Sequence, residues 1–219
     1  MKKYNIKTLC FSISLIFAFL ILTLLVGIID VKPIGPNGST VGFSTINALF
    51  HSLTGVNLVL YIITDWLGLV PVFVGMGFTF LGLFEWIKRR NILRVDFDIL
   101  VLGGFYIVTL ISYLFFENLV INYRPILING YLEASYPSST TLLVLCVMPT
   151  AIMQFNHRIK NKTLKALICT TVKIFIIFMV LGRLISGVHW LTDIVGGVLL
   201  SAGLVTMYNF VCSFKERQL

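Results

Sequence analysis

Long blocks of apolar residues alternate along this chain with short polar stretches. Residues 8 to 29, TLCFSISLIFAFLILTLLVGII, contain no charged residue, and a helix of that length crosses the roughly 30 Å hydrocarbon core of a bilayer. The same pattern predicts five further spans, near residues 66–86, 97–116, 139–156, 166–185 and 190–212. The chain is therefore predicted to be an all-α polytopic membrane protein with six transmembrane helices.

Composition supports the same class. Of the 219 residues, 58% are hydrophobic and 12% are charged, with a mean hydropathy of +0.96, whereas soluble domains carry about 25% charged residues. No polar stretch is long enough to build a soluble domain, so we expect one membrane-embedded domain over residues 1–219. The N-terminal MKKYNIK and the apolar run after it look like a signal peptide, but the run is too long and lacks a small-residue cleavage site. We expect an uncleaved first span.

The basic residues sort to one side of these six spans. Thirteen of the 17 lie in the N-terminal segment, the loops after the second and fourth spans, and the tail: Lys2, Lys3, Lys7, Lys88, Arg89, Arg90, Arg94, Arg158, Lys160, Lys162, Lys165, Lys215 and Arg217. Lys32, Arg124 and Arg183 lie on the other side, and Lys173 within the fifth span is expected to extend towards the basic side. The positive-inside rule then predicts that both termini are cytoplasmic.

The net charge of +8 is explained by basic residues gathered on the cytoplasmic side of the membrane. We therefore expect no nucleic-acid partner. The compact chain carries no organelle signal, so we expect a multi-pass protein of a bacterial plasma membrane. Its four cysteines fall within predicted spans and show neither metal-ligand spacing nor a disulfide framework. The tryptophans Trp66, Trp86 and Trp190 fit interface anchors.

Three segments are predicted on the side opposite the termini. The first covers residues 30–65, in which STINALFHSLTG has helical apolar spacing and predicts a short helix at the outer interface. Thr64 and Asp65, at the end of this segment, are expected to cap the second span. The second segment covers residues 117–138, and the third is the short SGVH before the sixth span.

The stretch RLISGVHWLTD, residues 183–193, places three polar groups in this apolar chain. His189 and Asp193 are four residues apart, so on one helical face Asp193 would orient the imidazole and leave its other nitrogen as a nucleophile. Arg183 supplies a planar cation suited to phosphate, and Gly187 allows a tight reversal. By themselves, His189 and Asp193 favour a structural hydrogen bond at a helix start. A metal pair is the other alternative, but no third ligand is near.

Two further outer features favour an anion site. Arg124 precedes the stiffening Pro125, and YPSSTT predicts a helix start with Ser138 as the N-cap, followed by Ser139 and Thr140. Helix N-termini present free amide hydrogens and partial positive charge to anions, although such serines are often caps and nothing more. Together with Arg183, His189 and Asp193, these residues predict a phosphate pocket with a nucleophile.

In this order, the residues resemble the type-2 phosphatidic acid phosphatase (lipid phosphate phosphatase) superfamily, over about residues 45–212. Its motifs K-x6-R-P, P-S-G-H and S-R-x5-H-x3-D are matched by ENLVINYRP, PSST and GRLISGVHWLTD. The resemblance implies that His189 attacks phosphorus to form a phosphohistidine and that Asp193 orients it. It also implies phosphate binding by Arg183 and Arg124. The helix start adds Ser138, Ser139 and Thr140 as phosphate-binding residues. Because two arginines and the helix amides already supply a positive field, we expect neither metal nor cofactor.

The chain also departs from the family pattern. Glu117 stands where the motif lysine falls, Thr140 where the motif histidine falls, and Gly182 where the serine falls. Threonine cannot protonate a leaving group at neutral pH. Glu117 could pair with an arginine, and His51 is expected to be an interfacial side chain rather than the missing acid.

We therefore expect a metal-independent membrane phosphatase that acts on a lipid phosphate or diphosphate at the outer face. A catalytically silent relative that binds phospholipid is the alternative. A small transport or accessory protein is a further one, although the spans lack the chain of buried charges typical of a transport path. The identity of the lipid and the oligomeric state are left open by the sequence.

Overall fold

The computed structural model describes the backbone of residues 2–215 and the side chains of residues 6–213. Within these residues it contains eight α-helices and no β-strand longer than an isolated bridge. The helices are α1 Lys2–Val26, α2 Ser44–Thr54, α3 Leu58–Leu67, α4 Leu69–Arg89, α5 Phe97–Asn118, α6 Ser139–Arg158, α7 Lys162–Ile185 and α8 Leu191–Lys215. The all-α prediction is confirmed.

In the described part of the chain, six helical segments are long and apolar enough to cross a membrane, as the apolar blocks predict. Five agree with the predicted spans to within a few residues. The second differs, because α3 and α4 are separated only by Gly68 and together form one candidate span, Leu58–Arg89. The prediction that this span begins near residue 66 is wrong, since the polar pair Thr64–Asp65 interrupts the apolar block without ending the helix.

The predicted short outer helix is α2, Ser44–Thr54. Asn47 fixes it to the start of α8: its side-chain amide donates to Thr192 Oγ1 (3.0 Å) and its carbonyl oxygen accepts from the Thr192 backbone N–H (3.2 Å). Ile46, Leu49 and Leu53 point away from the bundle and are exposed. A helix with one polar anchor and an apolar outer face suits a position at the membrane interface.

The core is centred on α6 and α8, which pack against each other and against α1, α5 and α7. Phe19, Leu102, Leu142, Cys146 and Leu200 form its buried centre. Because these helices carry most of the buried side chains, the starts of α6 and α8 are held firmly at one end of the bundle.

The two ends of the bundle differ. The turns 90–96 and 159–161 lie at the same end as the termini, and there Arg158 faces Glu85, Asp96 and Asp98 at 3.6, 3.4 and 3.4 Å. Arg89 also contacts Asp96 at 2.9 Å. This network joins α4, α5 and α6. Segments 27–57, 119–138 and 186–190 lie at the opposite end.

Candidate active site

The turn between α7 and α8 brings His189 to the end of the bundle opposite the termini. Gly187 has a φ of +68°, and a Cβ at this position would lie 1.9 Å from the Gly55 carbonyl oxygen. Only glycine fits both the left-handed backbone and this close approach. The predicted role of Gly187 in the reversal is therefore confirmed.

The His189 side chain is 3% exposed and has a polar partner at each ring nitrogen. Nε2 lies 3.4 Å from Arg124 Nη1. Nδ1 lies 3.1 Å from Ser135 Oγ and 3.6 Å from Asp193 Oδ2. The sequence predicts a direct contact between Asp193 and the imidazole; in the structure the shorter contact is made by Ser135.

Ser135 bridges His189 and Asp193. Its hydroxyl donates a short hydrogen bond to Asp193 Oδ2, so its lone pairs are available to accept from an Nδ1–H of His189. Its backbone N–H donates to Asn122 O at 2.9 Å. This arrangement leaves the lone pair of the imidazole on Nε2, beside Arg124. A single serine in an irregular loop carries no sequence pattern that would have revealed this role.

Asp193 is fully buried in the first turn of α8. Its Oδ2 also accepts from the backbone N–H of Trp190 at 2.8 Å, which caps the start of the helix. Trp190 is itself 3% exposed and donates its indole N–H to Tyr123 O at 2.7 Å. The prediction that Trp190 is an interface anchor is therefore wrong, because its ring packs inside the site.

Arg124 is held by Glu133 of the same loop. The guanidinium Nε lies 3.1 Å from Glu133 Oε2, and the backbone N–H of Arg124 donates to Glu133 O, also at 3.1 Å. Glu117 is exposed and forms no ion pair with an arginine among the described residues. The acidic partner of Arg124 is thus Glu133, which lies nine positions further along the loop.

Arg183 is almost completely buried in the last turn of α7. Its guanidinium group lies 5.1 Å above the Tyr61 ring, with Nη1 3.5 Å from Thr64 Oγ1 and Nη2 3.4 Å from Asp65 Oδ1. All three partners belong to α3. The prediction that Thr64 and Asp65 cap the second span is wrong: Asn57 caps α3, and these two side chains position an arginine.

The same contact gives a physical reason for Gly182. A Cβ at position 182 would lie 2.7 Å from Thr64 Cγ2, closer than van der Waals contact allows. The space beside Arg183 that a residue-182 side chain would need is therefore occupied by α3.

The electrostatics of the pocket favour a neutral imidazole. Burial lowers the pKa of His189 well below its ordinary 6.5, and the positive charges of Arg124 and Arg183 lower it further. His189 is therefore uncharged at neutral pH, the form in which an imidazole nitrogen is nucleophilic.

The start of α6 lies next to Asp193, the aspartate that supports the His189 imidazole. Ser138 caps α6, as predicted: its Oγ accepts from the Thr141 backbone N–H at 3.5 Å. Its own backbone N–H donates to Asp193 O at 3.0 Å, which ties α6 to α8. Ser139 and Thr140 form the first turn of α6, where backbone N–H groups have no partner within the helix. Their side chains make no hydrogen bond to Arg124, Arg183 or His189.

His51 lies on the other side of the turn that carries His189. Its Nε2 is 3.2 Å from the Gly187 carbonyl oxygen, so this nitrogen carries the proton and donates, and its ring lies 5.5 Å from that of Trp190. His51 is partly buried and contacts the protein, rather than lying free at the interface.

Among the residues that the structure describes, no three His, Cys, Asp or Glu side chains converge as metal ligands.

Known proteins resemble this chain in both sequence and fold. The family model of the PAP2 superfamily matches residues 101–216, a region that contains Arg124, Ser138, Arg183, His189 and Asp193. The crystal structure of a transmembrane PAP2-type phosphatidylglycerolphosphate phosphatase from Bacillus subtilis superposes with a TM-score of 0.57 and 20% sequence identity. The superposition covers 94% of this chain and 96% of that one. At this identity the superposition shows a shared fold and nothing finer. No curated protein matches the chain.

Proposed function

Because this chain belongs to the PAP2 superfamily, whose family model matches residues 101–216, we propose that it is a membrane phosphatase in which His189 attacks a phosphorylated lipid. One observation carries this assignment. A buried histidine of lowered pKa has its Nε2 against Arg124 and its Nδ1 against a serine–aspartate pair. A histidine in a purely structural hydrogen bond has no need of two buried arginines beside it.

The reaction proceeds in two displacements. In the first, the Nε2 lone pair forms a bond to the terminal phosphorus while the bond from that phosphorus to the leaving oxygen breaks. The leaving oxygen is the lipid oxygen of a monophosphate or the bridging oxygen of a diphosphate, and it departs with the electron pair. In the second, water attacks the phosphohistidine, the P–N bond breaks, and inorganic phosphate and neutral imidazole are released. Positive charge develops on the imidazole in the first step. Asp193, acting through Ser135, stabilises that charge.

Arg124 and Arg183 bind the phosphoryl oxygens, together with the free backbone N–H groups of Ser139 and Thr140 at the start of α6. Glu133 and Asp65 hold the two guanidinium groups at 3.1 and 3.4 Å, so their orientation is set before substrate enters. Fixed donors of this kind stabilise charge that develops in the transition state. We propose that these groups act without a metal ion, so a chelator is expected to leave activity intact.

The leaving group is the point at which this chain departs from its family. Thr140 replaces the motif histidine and cannot donate a proton at neutral pH. Asp65 and Glu133 are paired with arginines, and the Nε2–H of His51 donates a hydrogen bond to the Gly187 carbonyl oxygen. An alkoxide needs a proton to leave, whereas a phosphate group, with a second pKa of about 6, leaves readily. We therefore propose a preference for lipid diphosphates over lipid monophosphates.

The decisive experiment is phosphate release by the purified protein from matched lipid mono- and diphosphates, with and without a chelator. We expect His189→Ala to abolish release and His157→Ala, a histidine in the last turn of α6 at the other end of the bundle, to retain it. No release from any lipid, with phospholipid binding intact, would instead identify a catalytically silent relative.

Substrate preference is tested by restoring the missing acid. Thr140→His is expected to raise monophosphate hydrolysis by up to about 100-fold, the usual contribution of a general acid, and diphosphate hydrolysis far less. Ser139→His, one residue away on a different face of α6, is the matched control. Equal wild-type rates on both lipids, with no gain from Thr140→His, would show that another group supplies the proton.

We further propose that the site lies on the extracytoplasmic side of a plasma membrane. The basic residues support this orientation, since they gather at the end of the bundle that carries the termini.

A further inference from the structure

A cavity lies in the half of the bundle nearer the termini, away from the turn that carries His189. It has a volume of about 360 Å³, far more than the roughly 15 Å³ that one water molecule requires. Its walls come from α4, α5 and the turn between them, and they are almost entirely apolar. Among the lining residues are Phe78, Leu83, Trp86, Leu102, Gly103 and Ile107. We call this cavity the α4–α5 groove.

The groove opens sideways, towards the position of the lipid. At Gly82 the two helices are close, since a Cβ there would lie 3.0 Å from Ile99 Cγ2. At Gly103 and Gly104 an added Cβ would meet no atom within 4 Å. Gly103 and Gly104 have no side chain to fill the space beside α5, and this leaves an open channel. Leu83, Trp86 and Ile107 at its rim are exposed.

The end of the groove nearest the termini is bordered by positive charge. Lys88 and Arg90 come two and four positions after the lining residue Trp86, and Arg94 comes two positions after the lining residue Ile92. The carboxylates of this region, Glu85, Asp96 and Asp98, are all engaged by Arg89 and Arg158. Among the described residues, Lys88, Arg90 and Arg94 therefore have no carboxylate partner.

We propose that the α4–α5 groove binds an anionic phospholipid, with one acyl chain between the helices and the headgroup at Arg90 and Arg94. An apolar channel with a cationic mouth matches an anionic lipid at both of its ends, and Trp86 lies where an indole marks the lipid–water boundary. A second copy of this chain is a poorer occupant, because its own basic rim would face the same basic rim. The proposal does not depend on the phosphatase reaction.

Trp86 serves as the reporter, because its indole lines the groove and is 47% exposed. The Trp66→Phe chain, which keeps only Trp86 and the buried Trp190, is reconstituted in phosphatidylcholine vesicles. Tryptophan fluorescence is then titrated with acyl-brominated phosphatidylglycerol or acyl-brominated phosphatidylcholine. We expect half-maximal quenching at an at least fivefold lower mole fraction of the anionic lipid, since each basic residue near an anionic headgroup contributes about that factor.

Two variants separate the headgroup from the groove. Arg90→Gln with Arg94→Gln is expected to remove the preference for the anionic lipid. Gly103→Leu, which fills the channel, is expected to reduce the preference as well. Gly77→Leu makes the same change on α4, where an added Cβ also meets nothing within 4 Å but outside the groove lining, and should leave the preference unchanged.

Each remaining outcome overturns the proposal. Equal quenching by the two lipids would exclude a selective site. A preference that persists in Gly103→Leu but is lost with the arginines would indicate a headgroup contact at the surface and no acyl chain in the groove. Weak quenching by both lipids would mean that protein, such as a second copy of the chain, covers Trp86.

Discussion

Ser135 is the residue on which the geometry of the nucleophile depends most directly. Its hydroxyl lies 3.1 Å from His189 Nδ1 and donates to Asp193, whereas Asp193 itself is 3.6 Å from that nitrogen. The serine thereby selects the tautomer that leaves Nε2 free. It also links the imidazole to the Asp193 carboxylate, which stabilises positive charge on the ring through this hydrogen bond. Its contact is with the nucleophile and not with either arginine, so it acts on the chemical step rather than on phosphate binding.

Ser135→Ala is expected to lower kcat by roughly 10- to 100-fold, because two buried polar groups lose a partner at a cost of about 1–3 kcal/mol. KM should change little, and Ser135→Thr should recover part of the loss. The matched control is Ser201→Ala, a buried serine that bonds only within its own helix. Steady-state kinetics on one lipid substrate checks this, and an effect on KM alone would contradict the positioning role.

The lowered pKa of His189 makes a prediction about pH. The imidazole stays neutral as the pH falls through 6.5, so the acid limb of kcat/KM should lie below that value. Arg124→Gln removes one of the positive charges that depress the pKa, so the limb should move to higher pH while the maximum rate falls. Arg94→Gln, at the other end of the bundle, should leave the limb in place. A wild-type limb at or above pH 6.5 would contradict the neutral nucleophile.

At the scale of elements, the site is made by helix ends that pack against one another. The last turn of α3 holds Arg183 of α7, and the start of α6 is bonded to α8 through Ser138 and Asp193. The contact of α3 with α7 is tight, since Gly182 lies against Thr64. Because α3 continues into α4, this contact joins the site to a full membrane span.

Gly182→Ser, which restores the family serine, is expected to destabilise the protein by about 1–3 kcal/mol through overpacking against Thr64 Cγ2. Combining it with Thr64→Ser removes that methyl group but keeps the hydroxyl beside Arg183, and should recover most of the loss. Gly77→Ser, where an added Cβ meets nothing within 4 Å, is the control. Thermal unfolding in detergent is the measurement, and a fully stable Gly182→Ser variant would refute the steric explanation.

The whole molecule has two chemically distinct ends. The end with the termini carries most of the basic residues and the ion network around Arg158, whereas the other carries the two buried arginines and His189. An even number of spans places the termini together and all three motif segments at the opposite end. A substrate lipid would therefore reach the site from the leaflet away from the basic end.

Topology is tested in a chain whose four native cysteines are replaced by serine. Tyr131→Cys, 74% exposed in the wild type at the site end, is expected to react with an impermeant thiol reagent in intact cells. Leu93→Cys, 84% exposed at the other end, should react only after the cells are permeabilised. The reverse pattern would place the site in the cytoplasm.

The sequence by itself determined the features that are local along the chain. Uncharged apolar blocks define spans because every backbone polar group in hydrocarbon must be paired within a helix. Ser138 was identifiable as a cap, and the short outer helix as amphipathic, because both patterns lie within a few residues. The order and spacing of Arg124, Ser138, Arg183, His189 and Asp193 were likewise sufficient to predict a common phosphate site.

Tertiary structure alone decided which side chains hold those residues. Asp65 and Arg183 are 118 positions apart, and Ser135 and Asp193 are 58 apart; neither Asp65 nor Ser135 belongs to a periodic pattern. The start of α3 at Leu58 could not be predicted for a related reason. In the sequence, Thr64 and Asp65 look like the boundary of an apolar block, and only the structure shows that both contact Arg183. A polar residue in an apolar protein is stable only where packing brings its partner, and that partner can lie anywhere in the chain.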